Sequence, residues 1–346
     1  MSPTQIQPTD IDPFAKLNST IDFDDILNSP LSETYEVPEG AIDPRILNLS
    51  YSSLLTLHSC PRKLQLERLN AISESSESLS ESITFSYGQV VGLGIQLALE
   101  GKDEGDILWA MFLGWKPELF ADNPKQNKSF ASAVFAVQKF QVLQSQGYLD
   151  GYELVYYQGK PACELSFLIT LPNGFKYRGF VDAVLRHRVT GKVIVLECKT
   201  SSALSINPAT YKNSAQAIGY SIVLDSLFPE LSSYDVLYLI YSTKSYEYEQ
   251  LSFTKSYVQR ARWIQELVLD TQVIKLYNDS DCYPMRGESC FTYFRECQFM
   301  NLCQMETSRL TQAPTVAQIN ELEKLNASYQ IQITLEDLIT SQLSKG

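Results

Sequence analysis

The chain has no long apolar run. Nothing in its 346 residues approaches the roughly 18 consecutive apolar residues of a membrane-spanning helix, so no membrane partner is expected. The N-terminus, MSPTQIQPTDIDPF, lacks the basic, apolar pattern of a signal peptide, which implies a soluble protein made and kept in the cytosol. A phosphate loop of the form G-x-x-x-x-G-K-[ST] is absent, and with it the signature of an intrinsic ATP-driven motor. No segment repeats at a fixed period. Histidine is scarce, and both residues, His58 and His187, read as structural rather than catalytic. Basic charge is also short: 28 Lys and Arg stand against 40 Asp and Glu, a net of −12, where phosphate binding normally needs a basic surface.

The acid is unevenly spread. Residues 1–50 carry nine acids against Lys16 and Arg45, SESSESLSES (73–82) adds three more, and the tail from 313 has four acids against two lysines. The rest of the chain is neutral and can carry a local basic groove, so the overall charge neither supports nor excludes a nucleic-acid partner.

Composition also sets the organisation. Residues 1–45 are rich in Pro, Ser, Thr and Asp with little periodicity, as in a flexible acidic arm; the piece TIDFDDIL within it reads as a solvated leader, the alternatives being that it binds a partner or covers a basic groove. A folded domain is expected over 46–310, and a partly helical tail over 311–346. SYSSLLTLHSCPRKLQLERLN begins with hydroxyl N-caps and has helical spacing, with Pro61 near a turn between short helices. Helices follow in VVGLGIQLALEG and SFASAVFAVQKFQVLQSQG. The strands GYELVYYQ, ACELSFLITL, FKYRGFVDAVLRH and KVIVLECK then succeed one another between turn formers, which implies an antiparallel meander. The helix NSAQAIGYSIVLDSLF, the strands SYDVLYLIYST and YEYEQLSF, and the long helix SYVQRARWIQELVLDTQVIKLY complete an α/β (α+β) core, a sheet flanked by helices.

Two of these strands carry charge where core residues belong. Alternation in KVIVLECK puts Val193, Val195, Glu197 and Lys199 on one face and Ile194, Leu196 and Cys198 on the other. On the preceding strand Asp182 shares a face with Phe180 and Val184. A tight turn at Thr190 and Gly191 brings the strands side by side, with Asp182 in reach of Glu197. Carboxylates that close repel unless a cation lies between them, and oxygen ligands suit magnesium or manganese. The blander reading is a surface pair on an edge strand; the run of four apolar residues ending in Glu-x-Lys favours a metal-assisted hydrolysis site.

This segment resembles the core of the PD-(D/E)XK nuclease superfamily, and more narrowly its RecB-like exonuclease branch. SYSSLLTLHSCPRKLQLERL resembles the branch's N-terminal helix with the CPRK element, YGQVVGLGIQLALEG its Gly-led helix, and QAIGY its Gln-x-x-x-Tyr motif. The resemblance runs from about Leu49 to Cys303 and implies a restriction-endonuclease-like core: a central mixed sheet flanked by helices. It implies that Asp182 and Glu197 hold Mg2+ or Mn2+, with the Cys198 backbone carbonyl a further ligand, and that Lys199 orients or helps deprotonate the attacking water. Gln216 and Tyr220, one helical turn apart, are implied to contact substrate backbone or a metal-bound water; ordinary helix packing is the alternative. The branch often has a metal-binding His on the Gly-led helix, where this chain has Gly92. Glu164 is an added carboxylate candidate, and Gln96 and Glu100 lie on the same helix.

MRGESCFTYFRECQFMNLC places Cys290, Cys297 and Cys303 close together, and Cys60 of CPRK is the natural fourth partner for a tetrahedral or cubane site. Spacing alone leaves zinc open, with Cys282 an alternative ligand. The resemblance implies a [4Fe-4S] cluster stapling the two ends around the core. Cys163 and Cys198, within strands, read as free buried thiols.

Phosphodiester hydrolysis of DNA follows as the expected chemistry, on linear ends, single- or double-stranded. Arg62, Lys63, Arg68 and Lys212 are candidates for the DNA track, and aromatics around Tyr293 for base stacking. The Gly-x-Gly helix and the C-x6-C-x5-C spacing resemble phage-type members, which implies an exonuclease of phage recombination, replication or DNA repair, with proteins of those processes as partners and a bacterial or phage-infected cytosol as its place. The alternatives are an end-trimming nuclease of the CRISPR-adaptation type and a non-catalytic DNA-binding scaffold. Intact Asp182, Glu197 and Lys199 argue against the scaffold, because a buried charge group is costly to keep.

Overall fold

Alternating apolar residues in the middle of the chain build one eight-stranded mixed sheet. The computed structural model describes residues 33–71, 83–120, 127–203, 205–292 and 295–345; TIDFDDIL, SESSESLSES and Tyr293 lie outside them. The strands are β1 (Asn48–Ser50), β2 (Tyr152–Leu154), β3 (Cys163–Thr170), β4 (Lys176–His187), β5 (Val193–Ser201), β6 (Ser233–Ser242), β7 (Tyr248–Ser256) and β8 (Ile331–Thr334). The main path runs β8-β3-β4-β5-β6-β7. Strands β3, β4 and β5 form the expected antiparallel meander. Strand β6 lies parallel to β5 and antiparallel to β7.

GYELVYYQ is not one strand. Tyr152–Leu154 pairs with β4, while Tyr156–Tyr157 turns into a separate ribbon with Lys160–Pro161. The two residues between, Gln158 and Gly159, both have positive φ (50° and 79°), the backbone that a tight two-residue hairpin requires.

Helices α1 (Tyr51–Ser59), α2 (Pro61–Arg68), α3 (Ile83–Leu99), α4 (Glu104–Gly114) and α5 (Phe130–Ser145) precede the meander. Ser50 caps α1 by accepting the Ser53 amide at 3.3 Å, and Pro61 opens α2, where a missing N–H costs nothing. Parallel pairing of β5 with β6 demands a long crossover. It is filled by α6 (Pro208–Lys212), α7 (Ala215–Gly219) and α8 (Ser221–Leu227), so the single helix expected over NSAQAIGYSIVLDSLF is interrupted at Tyr220. Helices α9 (Tyr257–Asp279), α10 (Thr307–Leu310), α11 (Val316–Ala327) and α12 (Leu335–Leu343) follow.

The sheet separates two apolar cores. One holds Leu54, Val184, Val195, Tyr220 and Trp263; the other holds Tyr87, Ile95, Phe140, Leu185, Ile194 and Leu196. Residues beyond 311 join the first, because β8 pairs in parallel with β3 and Leu338 is buried there. Arg260, fully buried on α9, fastens them: it pairs with Asp225 of α8 and donates to Gln342 at 2.8 Å and Ser341 at 3.3 Å on α12. At the other end, Thr34 bridges Thr315 and the Tyr35 amide donates to the Pro314 carbonyl at 2.8 Å.

The two glycines of the Gly-x-Gly helix differ in what they permit. A β-carbon on Gly94 would lie 2.5 Å from Val137 and 2.8 Å from Met111, whereas one on Gly92 meets nothing within 4 Å. Gly94→Ala is therefore expected to destabilise the fold by about 1–3 kcal/mol through overpacking, and Gly92→Ala to be neutral or to stabilise by up to about 1 kcal/mol through helix propensity. Urea denaturation of the two variants checks the contrast.

Candidate active site

The site forms where two neighbouring strands part. Pairing of β4 with β5 ends at Ala183 and Leu196, while β5 continues beside β6 to Ser201. The start of β4 pairs instead with β1, through Lys176–Arg178. Asp182 and Glu197, next in register, stand in the resulting fork. There the Asp182 carboxylate accepts the Cys198 amide at 2.7 Å, in place of a strand-to-strand bond.

Glu197 is 1% exposed, so its charge must be met from within. The Tyr220 hydroxyl donates to Oε2, and the Lys199 ammonium pairs with Oε1. Lys199 Nζ in turn donates to Gln216 Oε1 at 3.2 Å. The structure thus brings together Asp182, Glu197, Lys199, Gln216 and Tyr220. Within this set Gln216 and Tyr220 each contact one of the charged side chains directly.

The local alternation departs from expectation. Val181 packs into one core and Ala183 into the other, so the side-chain pattern shifts at Asp182, and Phe180 does not share the buried face of Val184. Phe180 is 48% exposed, with its ring centroid 5.7 Å from that of Tyr329. Cys163 and Leu165 divide between the cores in the same way. Between them Glu164 has φ 47°, a left-handed backbone that a glutamate adopts only under constraint.

Crowding sets the electrostatics. Burial, then the charges of Glu197 and Glu164, push the Asp182 carboxyl well above its ordinary range, opposed by Lys199 and the Cys198 amide. Burial and Glu197 raise Glu164 to about 7, although it keeps an exposed surface. For Lys199 burial works against the charge, yet Glu197 and Asp182 outweigh it and hold the ammonium above the usual lysine value. Three carboxylates facing one ammonium leave an excess of negative charge and hard oxygen donors, a set that fits a dication. Among the described residues no three His, Cys, Asp or Glu side chains form a ready cage; magnesium commonly takes one or two carboxylates and keeps waters.

Helix α3 crosses over β5 with Gly88 beside Thr200, 3.5 Å from its position for a β-carbon to Oγ1. Gln96 donates to Glu100 at 3.0 Å, so these two satisfy each other. His58 pairs with the Asp270 carboxylate at 2.9 Å, and His187 Nδ1 accepts the amides of Val189 and Thr190 at 3.2 Å, capping the turn. Neither histidine belongs to the site. Tyr238 does, and the pattern of the sequence did not single it out: it is 2% exposed and lies beside Glu197 in the parallel register of β5 and β6. Only knowledge of that register could have found it.

The basic residues proposed for a DNA track do not act alike. Arg62 is a correction: it is 8% exposed and turned inward, donating to Gln65 at 2.5 Å, Thr307 at 2.7 Å and the carbonyls of Cys303 and Met305 at 3.0 and 2.6 Å. A guanidinium so engaged is not presented to a phosphate. Lys63 lies 3.6 Å from Glu67. Arg68 is half-buried, and burial followed by the Arg178 charge lowers it to about 10. Lys212 is exposed at the end of α6.

Cys60, Cys290, Cys297 and Cys303 line one pocket, with Arg62 and Lys63 on its wall. Cys282 is exposed and lies elsewhere. Leu66, Phe299 and Leu310 form a small apolar cluster against which Cys297 and Cys303 pack. Of the two strand cysteines, Cys163 is pushed up to about 12, by burial first and then by Glu100 and Glu164; Cys198 is raised by burial and Asp182. Both are held as neutral thiols.

Residues 48–304 match the PD-(D/E)XK nuclease superfamily. The chain belongs to this superfamily. The matched span contains the strand fork, the α7–α8 helices and all four pocket cysteines. Among solved structures, a candidate exonuclease from Eubacterium rectale is similar at 13% identity and a TM-score of 0.41, covering 83% of this chain and 98% of that one. The protein SSO0001 is similar at 16% identity and a TM-score of 0.32, covering 75% of this chain and 87% of that one. No curated protein matches.

The carboxylate crowding in the strand fork of this PD-(D/E)XK chain has a pH signature. A carboxyl raised in the folded state stabilises the fold only while protonated; for Glu164 that contribution is full below the unfolded value of about 4.3 and is lost as pH rises through about 7. In EDTA the melting temperature is expected to fall between about pH 5 and about pH 8, and Glu164→Gln to flatten the fall. Calorimetry across that range checks it; an unchanged slope in the variant refutes the assignment.

Proposed function

We propose that the chain is a divalent-metal-dependent deoxyribonuclease, an exonuclease that hydrolyses phosphodiester bonds from the ends of linear DNA in phage recombination, replication or DNA repair. The observation that carries this reading is the meeting of Asp182, Glu197 and Lys199 in the strand fork of a PD-(D/E)XK chain. Asp182 and Glu197, with the Cys198 carbonyl and Glu164 as further oxygen donors, would hold Mg2+ or Mn2+. Such an ion, when bound, polarises the phosphate and lowers the pKa of a coordinated water.

The remaining work falls to the chain's own groups. Lys199, kept as an ammonium by Glu197 and Asp182, orients the attacking water and offsets charge on the phosphate. Gln216 fixes the Lys199 side chain by accepting from it, and Tyr220 fixes Glu197 by donating to it. Both act by positioning. Lys212 is the basic candidate on the site's side of the crossover, and an intracellular setting suits free thiols.

The same reading includes a [4Fe-4S] cluster on Cys60, Cys290, Cys297 and Cys303. Their place around one pocket supports it, as does the chemistry of four thiols from two distant segments. The cluster would join the α1–α2 link to the segment before α10.

Incubation of the purified protein with linear and circular DNA, in Mg2+, Mn2+ or EDTA, tests the activity. End-dependent, metal-dependent loss of linear DNA is expected; no cleavage with either metal would leave a DNA-binding scaffold. Lys199→Met is expected to lower kcat by about a hundredfold or more while DNA binding persists. For the cluster, anaerobically purified protein should show broad visible absorbance that Cys297→Ser bleaches, and stoichiometric zinc without iron would reject the iron-sulfur assignment.

A further inference from the structure

Lys255 on β7 is fully buried, yet among the described residues no carboxylate pairs with it. Its ammonium donates instead to the backbone carbonyls of Tyr211, at 3.4 Å, and Lys212, the last two residues of α6. This helix has only five residues, opened by Pro208 and by Asn207, which accepts the Ala209 amide at 3.0 Å. One turn of helix is unstable alone, and a cation on its terminal carbonyls fixes where it ends. A buried lysine without an acid is costly, and here the two carbonyls offset part of that cost.

The first of these carbonyls belongs to Tyr211. The ring packs on Tyr238 with 4.8 Å between centroids, and Tyr238 is the register neighbour of Glu197. Tyr211 is partly exposed, and its hydroxyl makes no hydrogen bond among the described residues. The buried Tyr238 hydroxyl lies near Ser214 but completes no bond of normal geometry. The Tyr211 phenol stands within electrostatic reach of Lys199 and of the exposed Glu249. Two phenols with free donor capacity and an ammonium thus border the site, while the Glu197 carboxylate is already engaged by Tyr220 and Lys199. Donors without a matching acceptor suit an anionic oxygen.

We propose that Tyr211 is a substrate-binding residue whose phenol donates to a non-bridging oxygen of a DNA backbone phosphate next to the scissile one, and that Lys255 is the positioning residue that holds it there through α6. The identity of the ligand rests on the nuclease reading above.

The test is equilibrium binding of a fluorescein-labelled oligonucleotide to the full chain, by anisotropy with Ca2+ in place of Mg2+, together with steady-state hydrolysis in Mg2+. Tyr211→Phe is expected to weaken binding about tenfold and raise KM by the same factor, with kcat within about twofold. Lys255→Met is expected to give the same loss, and Tyr211→Phe with Lys255→Met no more than either alone, because both act on one contact. Binding by Tyr211→Phe within about twofold of the parent, or a parent that binds no DNA, overturns the inference. Losses that multiply in the double variant overturn the role of Lys255. If the parent binds DNA with the tenfold dependence on Tyr211 but hydrolyses nothing in Mg2+ or Mn2+, the nuclease reading fails and the Tyr211 contact stands; if the parent hydrolyses DNA and the variant matches it, only the contact fails.

Discussion

The burial of the Glu197 carboxylate is the constraint from which the rest of the site follows. A lone ionised carboxylate inside a protein costs several kcal/mol, so at 1% exposure it must be met by charge and by hydrogen bonds together. Lys199 supplies the charge and Tyr220 the hydrogen bond. Lys199 lies two residues on, on the same face of β5, so the strand period brings it there without further machinery. Tyr220 comes from the middle of the crossover, so meeting Glu197 also fixes where α7 gives way to α8. Gln216, one turn earlier, then reaches Lys199. A single buried charge therefore specifies a strand, a helix junction and a side-chain network, as half-satisfied buried polar networks are unstable.

Asp182 meets a related demand with a different device. Where β4 leaves β5, the Cys198 amide loses its strand partner, and the Asp182 carboxylate takes that bond at 2.7 Å. The fork stays open without an orphaned amide. The left-handed backbone of Glu164 and the shift of side chains between the two cores lie on the adjacent strand at the same level. Distortion is thus concentrated where the carboxylates gather, within strands that are otherwise regular and clamped by packed cores on both faces. Such a frame restrains side chains more closely than loops could.

What could be read from the sequence reflects the range of the forces involved. Asp182, Glu197 and Lys199 stood out because period-two alternation is local; Gln216 and Tyr220 stood out only through the resemblance of QAIGY to a Gln-x-x-x-Tyr motif. A sheet flanked by helices was legible because such periodicity is local, while its mixed strand directions were implied by the family resemblance. Direction over long range was not. Arg62 looked like a phosphate ligand from its charge and its basic neighbours, but its orientation depends on Cys303, Met305 and Thr307, some 240 residues away. Phe180 changed sides because a pattern count cannot see a shift at Asp182. The four residues of β8 carry too short a signal to announce a strand, and only the edge of β3 makes them one. Tyr211 and Tyr238 are two among 20 tyrosines, given meaning only by a parallel register and a buried lysine on another strand.

Arg260 and Arg62 each tie distant segments of the chain together, and the physical logic of the two differs. Arg260 joins α8, α9 and α12 through a buried ion pair and side-chain hydrogen bonds, a direct link that needs no other component. Arg62 binds the carbonyls of Cys303 and Met305 from α2. The four cysteines beside it share one pocket, and the Cys297 amide donates to the Cys290 carbonyl at 2.8 Å. Closing a loop of some 240 residues costs entropy that grows only slowly with length, so the Arg62 bonds and the small apolar cluster of Leu66, Phe299 and Leu310 can hold the segments together by themselves. Arg62 is therefore better explained as part of the cysteine pocket's frame than as part of a DNA surface.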